Sequence, residues 1–404
     1  MRIGMISEHA SPLAALGGVD AGGQNLHVAE LAAALVRQGH QVEVYTRRDD
    51  PRLPECVRAD GYDVVHVPAG PAVALHKDEL FGYMRPFGRW VARRWSGDAG
   101  PPDLVHAHFW MSGMAAIEAT ASHRVPTALT YHALGVVKRR YQQGDDTSPP
   151  LRCAVETQLG NAVDRVVAQC RDEVAELAAM GVPLDSVEVV PSGVNTYRFT
   201  PEGPAAPRTP GVHRVVTVGR LVPRKGYDDL IRAVYGLGDV ELVIVGGPPE
   251  GAAADPEGQR LADLAQRLGI ADRVRLVGPI APADMPAWYR SADVVACSPW
   301  YEPFGLTPLE AMACGVPVVT YAVGGLQDTV LDGVTGRQVP PGDVAGLTQA
   351  LRELLTDAPM RRRYGRAALD RARTHYSWPA TAAHMANVYA ALLHARTPQE
   401  KVSS

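Results

Sequence analysis

Short apolar runs rich in valine and isoleucine recur along this chain and alternate with longer segments of helical periodicity. The runs form two series, residues 2–7, 42–46, 64–67, 104–106, 128–131, 165–168 and 187–190, and then 214–218, 241–245, 274–277, 294–296 and 316–321. Because the runs are nearly continuous instead of alternating with polar residues, the strands that they predict are buried on both faces. The pattern predicts an α/β protein with two doubly wound parallel sheets that carry helices on each side.

A proline-rich segment, residues 200–211, separates the two series of strands. It holds four prolines and two glycines, which neither a helix nor a central strand accommodates. We interpret it as a linker between an N-terminal domain, residues 1–195, and a C-terminal domain, residues 212–375. Open parallel sheets bind ligands at the carboxyl ends of their strands, so two such domains facing each other predict a site in a central cleft.

Charge and cysteine usage restrict the partners and the compartment. The 404 residues carry a formal net charge of -4, which argues against nucleic acid as a partner. Five scattered cysteines without a CxxC pair argue against a disulfide framework or a zinc site, and they favour the reducing cytoplasm. The first strand begins at residue 2 without a signal peptide, and no apolar run reaches the roughly 18 residues that span a bilayer.

A glycine-rich loop, GGVDAGGQN at residues 17–25, follows the first strand and precedes a helical pattern at residues 26–38. Glycines allow the backbone to approach a ligand closely, and the amide groups at the start of a helix favour an anion. The loop is not GxGxxG, which disfavours a nicotinamide-dependent enzyme. From these residues alone, a phosphate-binding loop and a plain tight turn are both open.

A basic turn, residues 219–226, follows the first strand of the second series and contains Arg220, Arg224 and Lys225. Arginine supplies a planar fork of donors and lysine a mobile point charge. Because the turn lies between the carboxyl end of a strand and the start of a helix, it suits a diphosphate. The alternative is a solvated basic loop.

The most informative segment is SPWYEPFGLTPLEAMACG at residues 298–315. Glu302 lies in a loop after a strand, Glu310 lies early in the helix that follows, and Gly315 is predicted to end that helix. Carboxylates accept hydrogen bonds from sugar and ribose hydroxyls, which suits a sugar nucleotide. Backbone amides nearby belong to Phe304, Gly305 and Leu306. The alternative is a helix start with ordinary acidic capping.

These motifs resemble those of retaining glycosyltransferase family 4. Glu302 and Glu310, with seven residues between them, match the donor-site signature of that family. The other matches occur in the family's order and are Gly22-Gly23-Gln24, HALG at 132–135, PSGVN at 191–195 and the basic turn. Within the family, the sequence is similar to sucrose-phosphate synthases and to D-inositol-3-phosphate glycosyltransferases of the mycothiol pathway. The resemblance implies the GT-B fold, two Rossmann-like domains with a last helix, about residues 376–400, that crosses back onto the first.

The resemblance implies donor-binding roles for residues of the second domain. Arg220 and Lys225 would hold the diphosphate of a nucleotide-sugar donor, Glu302 would contact the sugar hydroxyls, and Glu310 would contact the ribose. The backbone that would line the sugar and phosphates belongs to Phe304, Gly305 and Leu306. Arg220, Lys225 and Glu302 would be catalytic.

In the first domain, the resemblance implies that Gly22 and Gly23 let the loop reach the diphosphate and that His132 is a catalytic residue near the donor sugar. Taken alone, His132 would be interpreted as a strand-end histidine bonded to the backbone. The family's acceptor-phosphate ligands correspond to Lys77 and Arg152. Lys138 begins a loop that suits either contact with the acceptor or a solvated surface loop.

Two acceptor-site residues depart from the family pattern. Phe109 stands where the family has a tyrosine, and Ala133 stands where it has a threonine. The two missing hydroxyls leave a phosphorylated acceptor open but disfavour inositol phosphate itself.

Family membership implies that the anomeric configuration is retained. The sequence shows no pair of carboxylates placed as nucleophile and acid. The hypothesis is therefore that the acceptor attacks the sugar from the same face that the diphosphate leaves, and that the leaving diphosphate takes the acceptor proton. No DxD triplet lies in a suitable loop, so we expect no metal site, no metal requirement and no cofactor besides the nucleotide-sugar co-substrate.

Several alternatives are open. For the donor, a uridine nucleotide is favoured over the GDP-mannose of a mannosyltransferase. For the activity, the rivals to a glycosyltransferase are a family 4 sugar phosphorylase or synthase and a catalytically silent sugar-nucleotide binder. The arginines and tryptophans of residues 85–95 have helical spacing, which suits either the flank of a first-domain helix, the favoured reading, or contact with an anionic membrane surface. The oligomeric state is open, a homodimer included.

Overall fold

The computed structural model describes residues 1–14, 22–98, 100–248 and 250–396. The chain forms two compact units, one made of Met1–Pro191 and the segment from Trp378 onward, the other made of Ser192–Ser377. The proline-rich segment belongs to the second unit, where Ala206 is buried and its N–H donates to the carbonyl of Ala287 at 2.8 Å.

The first unit contains a twisted sheet whose strands are buried on both faces over most of their length. Its strands are β1 (Arg2–Ile6), β2 (Gln41–Arg47), β3 (Cys56–Ala59), β4 (Tyr62–Val67), β5 (Leu104–His108), β6 (Thr127–Thr130), β7 (Arg165–Ala168) and β8 (Val187–Val189). Their order is β3-β4-β2-β1-β5-β6-β7-β8. All neighbours are parallel except β3 and β4, so the predicted parallel sheet is confirmed with one antiparallel edge strand added.

Helices connect most of these strands and pack against the sheet. They are α1 (Gly23–Arg37), α2 (Met84–Trp95), α3 (Trp110–Thr120), α4 (Gly135–Gln142), α5 (Arg152–Ala162) and α6 (Arg171–Ala179). In α1 the buried stripe consists of Val28, Leu31 and Leu35, at the spacing of one helix face. This helix begins three residues before the predicted Leu26, since the Asn25 side chain accepts a hydrogen bond from the Gly22 N–H at 3.1 Å.

The arginine- and tryptophan-rich helix α2 is part of the first unit's packing. Trp95 is buried and its indole N–H donates to the Tyr45 hydroxyl at 2.8 Å. Arg94 pairs with Glu55 at 2.7 Å on the exposed flank. These contacts account for the pattern as a helix flank.

The second unit contains a six-stranded sheet within the described residues. Its strands are β9 (His213–Val218), β10 (Val240–Val245), β11 (Val274–Gly278), β12 (Val294–Cys297), β13 (Val318–Tyr321) and β14 (Gly336–Val339), in the order β11-β10-β9-β12-β13-β14. Every neighbouring pair is parallel, as predicted. Its helices are α7 (Tyr227–Tyr235), α8 (Pro256–Arg267), α9 (Met285–Ser291), α10 (Leu306–Ala313), α11 (Leu326–Thr329), α12 (Val344–Thr356) and α13 (Ala358–His375).

The last helix, α14 (Trp378–Arg396), packs on the first unit. Its residues Trp378, Met385 and Leu392 are buried in the same apolar cluster as α1. The Tyr389 hydroxyl lies 2.7 Å from Nδ1 of His106 on β5. Within the described residues, no helix is both long and apolar enough to cross a bilayer.

Strand order reverses at one point in each sheet, between β1 and β5 in the first unit and between β9 and β12 in the second. Loops leaving the carboxyl ends of two strands that flank such a point diverge and open a crevice where ligands bind. The start of α1 follows β1 and His108 ends β5, while the basic turn and the two-glutamate segment follow β9 and β12. The fold therefore places the sequence motifs at the two switch points.

Candidate functional site

The basic turn and the two-glutamate segment are bound to each other in the second unit. The basic turn contains a short 3-10 helix, Pro223–Lys225, which ends at Gly226. Gly226 has a left-handed φ of 65°. A Cβ on Gly226 would lie 2.0 Å from the carbonyl oxygen of Ser298, so only glycine allows this approach. The Trp300 N–H donates to the Arg224 carbonyl at 2.9 Å, and the Ser298 hydroxyl donates to the Gly226 carbonyl at 2.7 Å.

Lys225 and Glu302 form an ion pair across these two loops. Lys225 Nζ lies 2.5 Å from Glu302 Oε2, and each side chain is 18% exposed. Burial raises the pKa of Glu302, but the cations of Lys225 and Arg224 outweigh it and hold the pKa below its usual value. Glu302 is therefore ionised at neutral pH, and a charged pair is available at the strand switch.

The helix that follows begins next to this pair. Gly305 caps α10 with a left-handed φ of 88°, so the main chain turns sharply between Phe304 and Leu306. The amide groups of a helix start carry partial positive charge and favour an anion. The helix ends at Ala313 with Cys314 as its C-cap, and Gly315 has a φ of 74°, which confirms the predicted glycine stop.

Glu310 has an environment opposite to that of Glu302. Burial raises its pKa to about 7, although the Tyr289 hydroxyl, 2.6 Å from Oε2, donates to it and favours the charged form. At neutral pH this carboxyl group is therefore close to half ionised. The two glutamates of the sequence motif therefore lie at the same switch point, where Glu302 is ionised and Glu310 is only partly ionised at neutral pH.

In the first unit, Gly22 and Gly23 form the start of α1 and Gln24 anchors it. The Gln24 amide donates to the Ser7 hydroxyl and to the His108 carbonyl, both at 3.2 Å, so the helix start is held between the ends of β1 and β5. A side chain on Gly22 would meet no atom within 4 Å. The preceding part of the predicted glycine loop, residues 17–21, lies outside the described residues.

His132, which is half-buried, lies against a group of buried histidines that the sequence did not predict. It follows β6 with a left-handed φ of 60°, which is unfavourable for a residue with a side chain. Its Nε2 lies 3.0 Å from Nδ1 of His108, and the His108 ring packs on the His106 ring at a centroid distance of 4.2 Å. His27 on α1 packs edge-on against His132 at 4.9 Å.

Burial and mutual repulsion keep this histidine group neutral. Burial lowers the pKa of His27 to about 4 and that of His106 to about 3, and it holds those of His108 and His132 well below their usual value. The ring nitrogens of His27, His108 and His132 lie within 4.8 Å of one another, close enough to hold a metal ion. Nδ1 of His108 and Nε2 of His132 lie at hydrogen-bond distance, so these two neutral rings share a hydrogen bond in this structure.

The three predicted acceptor-binding residues come together in the first unit. Lys138 Nζ lies 2.9 Å from the Ser148 hydroxyl, which also accepts a hydrogen bond from Arg152 at 3.1 Å. Lys77 lies in a 3-10 turn at Lys77–Glu79. The Thr147 hydroxyl donates a hydrogen bond to the Asp78 carboxylate at 2.6 Å, which holds this turn against the loop that carries Ser148. Lys138 Nζ is also ion-paired with Asp146 at 2.9 Å, so an anionic group bound here would share this lysine with a carboxylate.

Arg152 is nevertheless engaged within the protein. Its Nε donates to Glu156 at 2.7 Å, its Nη2 donates to the Ala133 carbonyl at 2.6 Å, and its guanidinium lies over the Phe109 ring at 5.0 Å. The two positions that depart from the family pattern are thus both direct neighbours of this arginine. The site roles named from the sequence remain predictions.

Comparisons with known proteins match both units. A family model described as glycosyl transferases group 1 matches residues 206–371, and one described as glycosyl transferase 4-like domain matches residues 22–193. The chain is 38% identical over 411 residues to the D-inositol 3-phosphate glycosyltransferase of Streptomyces scabiei. This alignment covers 97% of this chain and 92% of that protein.

Solved structures agree. Sucrose-phosphate synthase from Thermosynechococcus elongatus superposes with a TM-score of 0.86 at 31% identity, over 98% of this chain and 99% of that one. Anabaena Alr3699/HepE in complex with UDP shares the fold, with a TM-score of 0.73 at 19% identity over 97% and 100% of the chains. Two parallel-sheet α/β domains with these motifs define a glycosyltransferase of the GT-B class. The chain belongs to glycosyltransferase family 4.

Proposed function

We propose that this protein transfers a hexosyl group from a UDP-sugar to a small phosphorylated acceptor, with retention of the anomeric configuration. The observation that carries the donor half is the Lys225–Glu302 ion pair at the switch point of the second sheet, next to the start of α10. The cation suits a diphosphate and the carboxylate suits sugar hydroxyls. UDP as the nucleotide is supported by the UDP complex of the Anabaena protein of the same fold.

The acceptor half rests on the cluster of Lys77, Lys138 and Arg152 together with the name of the 38% identical relatives, D-inositol 3-phosphate glycosyltransferase. Phe109 and Ala133 offer no side-chain hydroxyl beside Arg152. We therefore propose a phosphorylated hydroxy compound that differs from inositol phosphate in the polyol part.

In the proposed reaction, the acceptor oxygen bonds to the anomeric carbon on the face from which the diphosphate departs. The bond between the anomeric carbon and the diphosphate oxygen breaks, and the acceptor proton passes to that oxygen. Arg220 and Lys225 stabilise the departing charge, Glu302 positions the sugar, and the amides of Phe304 to Leu306 line the phosphates. For the first unit, the resemblance assigns Gly22 and Gly23 to the diphosphate and His132 to the sugar.

We propose that no metal takes part in this step, since two cationic side chains supply the charge that a diphosphate needs. A turnover screen with UDP-hexoses and GDP-mannose, phosphorylated and phosphate-free polyols, with and without EDTA, tests the whole proposal. Turnover is expected with a UDP-sugar and a phosphorylated acceptor, unchanged by EDTA.

Each rival gives a different result in the same screen. Turnover with GDP-mannose alone would contradict the uridine assignment, and loss of activity in EDTA that manganese restores would contradict metal independence. Sugar transfer with inorganic phosphate and no nucleotide sugar would identify a phosphorylase. A silent binder would show only a thermal shift, which at 100 times the dissociation constant corresponds to about 2.7 kcal/mol.

Glu310 gives the proposed donor site a pH dependence. Its pKa is about 7, and protonation weakens the carboxyl group as an acceptor for the two ribose hydroxyls because it removes the negative charge and places a hydrogen on one oxygen. The affinity for UDP-glucose, whose diphosphate does not titrate in this range, is expected to fall by up to about tenfold per pH unit below pH 7. Isothermal titration calorimetry from pH 8 to 5.5 measures it.

The variant Glu310→Gln is expected to bind UDP-glucose more weakly at pH 8 and to show a flat profile. Glu250→Gln, which removes an exposed carboxylate of the same unit, is the matched control and should keep the wild-type profile. An unchanged pH profile in Glu310→Gln would show that Glu310 does not contact the donor.

A further inference from the structure

A buried carboxylate, Glu8, lies just beyond the carboxyl end of β1 and holds the ring of the next residue, His9. The Glu8 side chain is fully enclosed, with Oε1 2.7 Å from His9 Nδ1 and Oε2 accepting a hydrogen bond from the Ser112 hydroxyl on α3. Ser112 in turn accepts a hydrogen bond from the Glu8 N–H at 3.0 Å. Burying a carboxylate costs free energy, and a well-packed apolar side chain of similar volume is often at least as stable. The stability of the fold therefore does not explain this carboxylate.

The contact with Glu8 determines which nitrogen of His9 can bind a ligand. A carboxylate only accepts hydrogen bonds, so we assign the ring hydrogen to Nδ1, and Nε2 of the neutral ring keeps its lone pair. In the part of the chain that the structure describes, no protein group is hydrogen-bonded to His9 Nε2. The His9 side chain is 11% exposed, so its ring borders solvent, unlike Glu8. Nε2 is thus the nitrogen that is left to accept a hydrogen bond from a ligand.

His9 lies beside the residues proposed to bind the acceptor. Its ring packs edge-on against Phe109 at a centroid distance of 4.9 Å, and the Arg152 guanidinium lies over the same Phe109 ring at 5.0 Å, so His9 and Arg152 are at most about 10 Å apart. His9 follows β1 and Phe109 follows β5, the two strands that flank the switch point of the first sheet. A hydrogen-bond acceptor and a phosphate-binding cation are therefore within reach of one small molecule.

We propose that His9 is a further acceptor-binding residue, whose Nε2 accepts a hydrogen bond from a hydroxyl group of the phosphorylated acceptor, and that Glu8 is the positioning residue that holds the ring and its tautomer. This inference rests on the proposed function and deepens it, since it adds a group for the polyol part beside the cluster for the phosphate. Phe109 and Ala133 offer no side-chain hydroxyl there, which leaves this contact to His9. The sequence motifs did not include Glu8 and His9, because two polar residues after a strand resemble an ordinary loop.

The test compares His9→Asn and His9→Gln with the wild type by calorimetry. The probes are sorbitol 6-phosphate, D-inositol 3-phosphate, phosphate-free sorbitol, inorganic phosphate and UDP. The asparagine amide can replace Nδ1 as the donor to Glu8 but has no atom at the position of Nε2, whereas the longer glutamine reaches that position. His9→Asn is expected to bind the two polyol phosphates about fivefold more weakly, the effect of losing one neutral hydrogen bond, and to bind inorganic phosphate and UDP like the wild type. His9→Gln should restore most of the lost affinity.

The variant Glu8→Gln tests the positioning role separately. A glutamine amide can either donate to Nδ1 or accept from it, so the tautomer of His9 is no longer fixed. Nitrogen-15 NMR should show His9 protonated at Nδ1 in the wild type and a mixture of tautomers in Glu8→Gln, with the His9→Asn spectrum identifying the signals. The affinity for the polyol phosphates should fall by up to about fivefold, while the affinity for UDP stays the same. An unchanged tautomer and affinity would overturn the role of Glu8.

His123→Asn is the matched control, because it changes a half-buried histidine of the same unit that precedes β6 and so lies at the opposite edge of the sheet. It should keep every affinity. Wild-type affinity for the polyol phosphates in His9→Asn, or an equal loss for inorganic phosphate, would overturn the role of His9 and leave the proposed function intact. Binding of phosphate-free sorbitol alone, lost in His9→Asn, would support His9 and overturn the phosphorylated acceptor. A wild-type protein that bound UDP but neither sorbitol nor a polyol phosphate would overturn both.

Discussion

Replacing Lys225 with alanine is expected to lower kcat by about 10²- to 10³-fold, the usual effect of losing one preorganised charge donor. The diphosphate gains negative charge as the sugar leaves, and Lys225 is proposed to stabilise it. The lysine is positioned in advance, since its turn is hydrogen-bonded to the two-glutamate segment and its Nζ lies 2.5 Å from Glu302. Alanine also leaves the Glu302 carboxylate without its nearest cation. Arg220→Ala is expected to have a similar effect, and steady-state kinetics with saturating UDP-sugar measures both.

Arg232→Ala is the control for loss of one positive charge from the same unit. Arg232 is exposed on α7, the helix that follows the basic turn, and its removal should leave kcat within about twofold of wild type. Melting temperatures separate a catalytic effect from unfolding. A folded Lys225→Ala protein with near-normal turnover would show that the diphosphate is neutralised elsewhere.

The central strands were predictable because burial on both faces leaves a continuous apolar run. β7 and β9 through β12 lie within one or two residues of the predicted segments. The two strands that the sequence did not predict, β3 and β14, are both at sheet edges. In β3 exposed and half-buried residues alternate, and β14 is Gly-Arg-Gln-Val, so neither contains an apolar run.

The donor motifs were predictable as separate segments, but the contacts between them were not. Lys225 and Glu302 are 77 residues apart, and their pairing depends on β9 and β12 being neighbours in the sheet. A motif match also says nothing about environment. It treats Glu302 and Glu310 alike, whereas cations lower the pKa of the first and burial raises that of the second.

The histidine group shows the same limit in the first unit. His106 and His108 are two residues apart on β5, and that spacing alone predicts one face of a strand. His27 and His132 reach the same place from α1 and from the end of β6, which no local pattern reveals. The four rings meet because β5 and β6 are neighbours in the sheet and α1 packs beside them. Burial then keeps the rings neutral.

That neutrality makes the first unit sensitive to acid. The folded state keeps these histidines uncharged, whereas the unfolded chain binds protons below about pH 6.5. Their contribution to stability is therefore complete above pH 6.5 and is lost as the pH falls toward the folded pKa values, about 4 for His27 and about 3 for His106. Each histidine lowers the free energy of unfolding by about 1.4 kcal/mol per pH unit in that window, and four lower it by about 5.

Buried carboxyl groups of the same unit act in the opposite direction. Burial raises the pKa of Glu173 to about 7 and also raises that of Glu156, so protonation of both favours the folded state as the pH falls. A net loss of about 2.7 kcal/mol per pH unit is left, which over two pH units reaches the lower end of a typical domain stability. The first unit is therefore expected to unfold between pH 6.5 and 4.5, as followed by the fluorescence of the buried Trp110 and Trp378 during urea titrations.

The variant His27→Asn removes one of the four titrating rings and should reduce the slope of stability against pH by about 1.4 kcal/mol per unit. His375→Asn replaces an exposed histidine of the second unit and should leave that slope unchanged. Urea unfolding at half-unit steps from pH 7.5 to 4.5 measures all three proteins. A free energy of unfolding that stayed level down to pH 5 would mean that these rings accept protons in the folded protein, and the buried group would then have to be charged and not neutral.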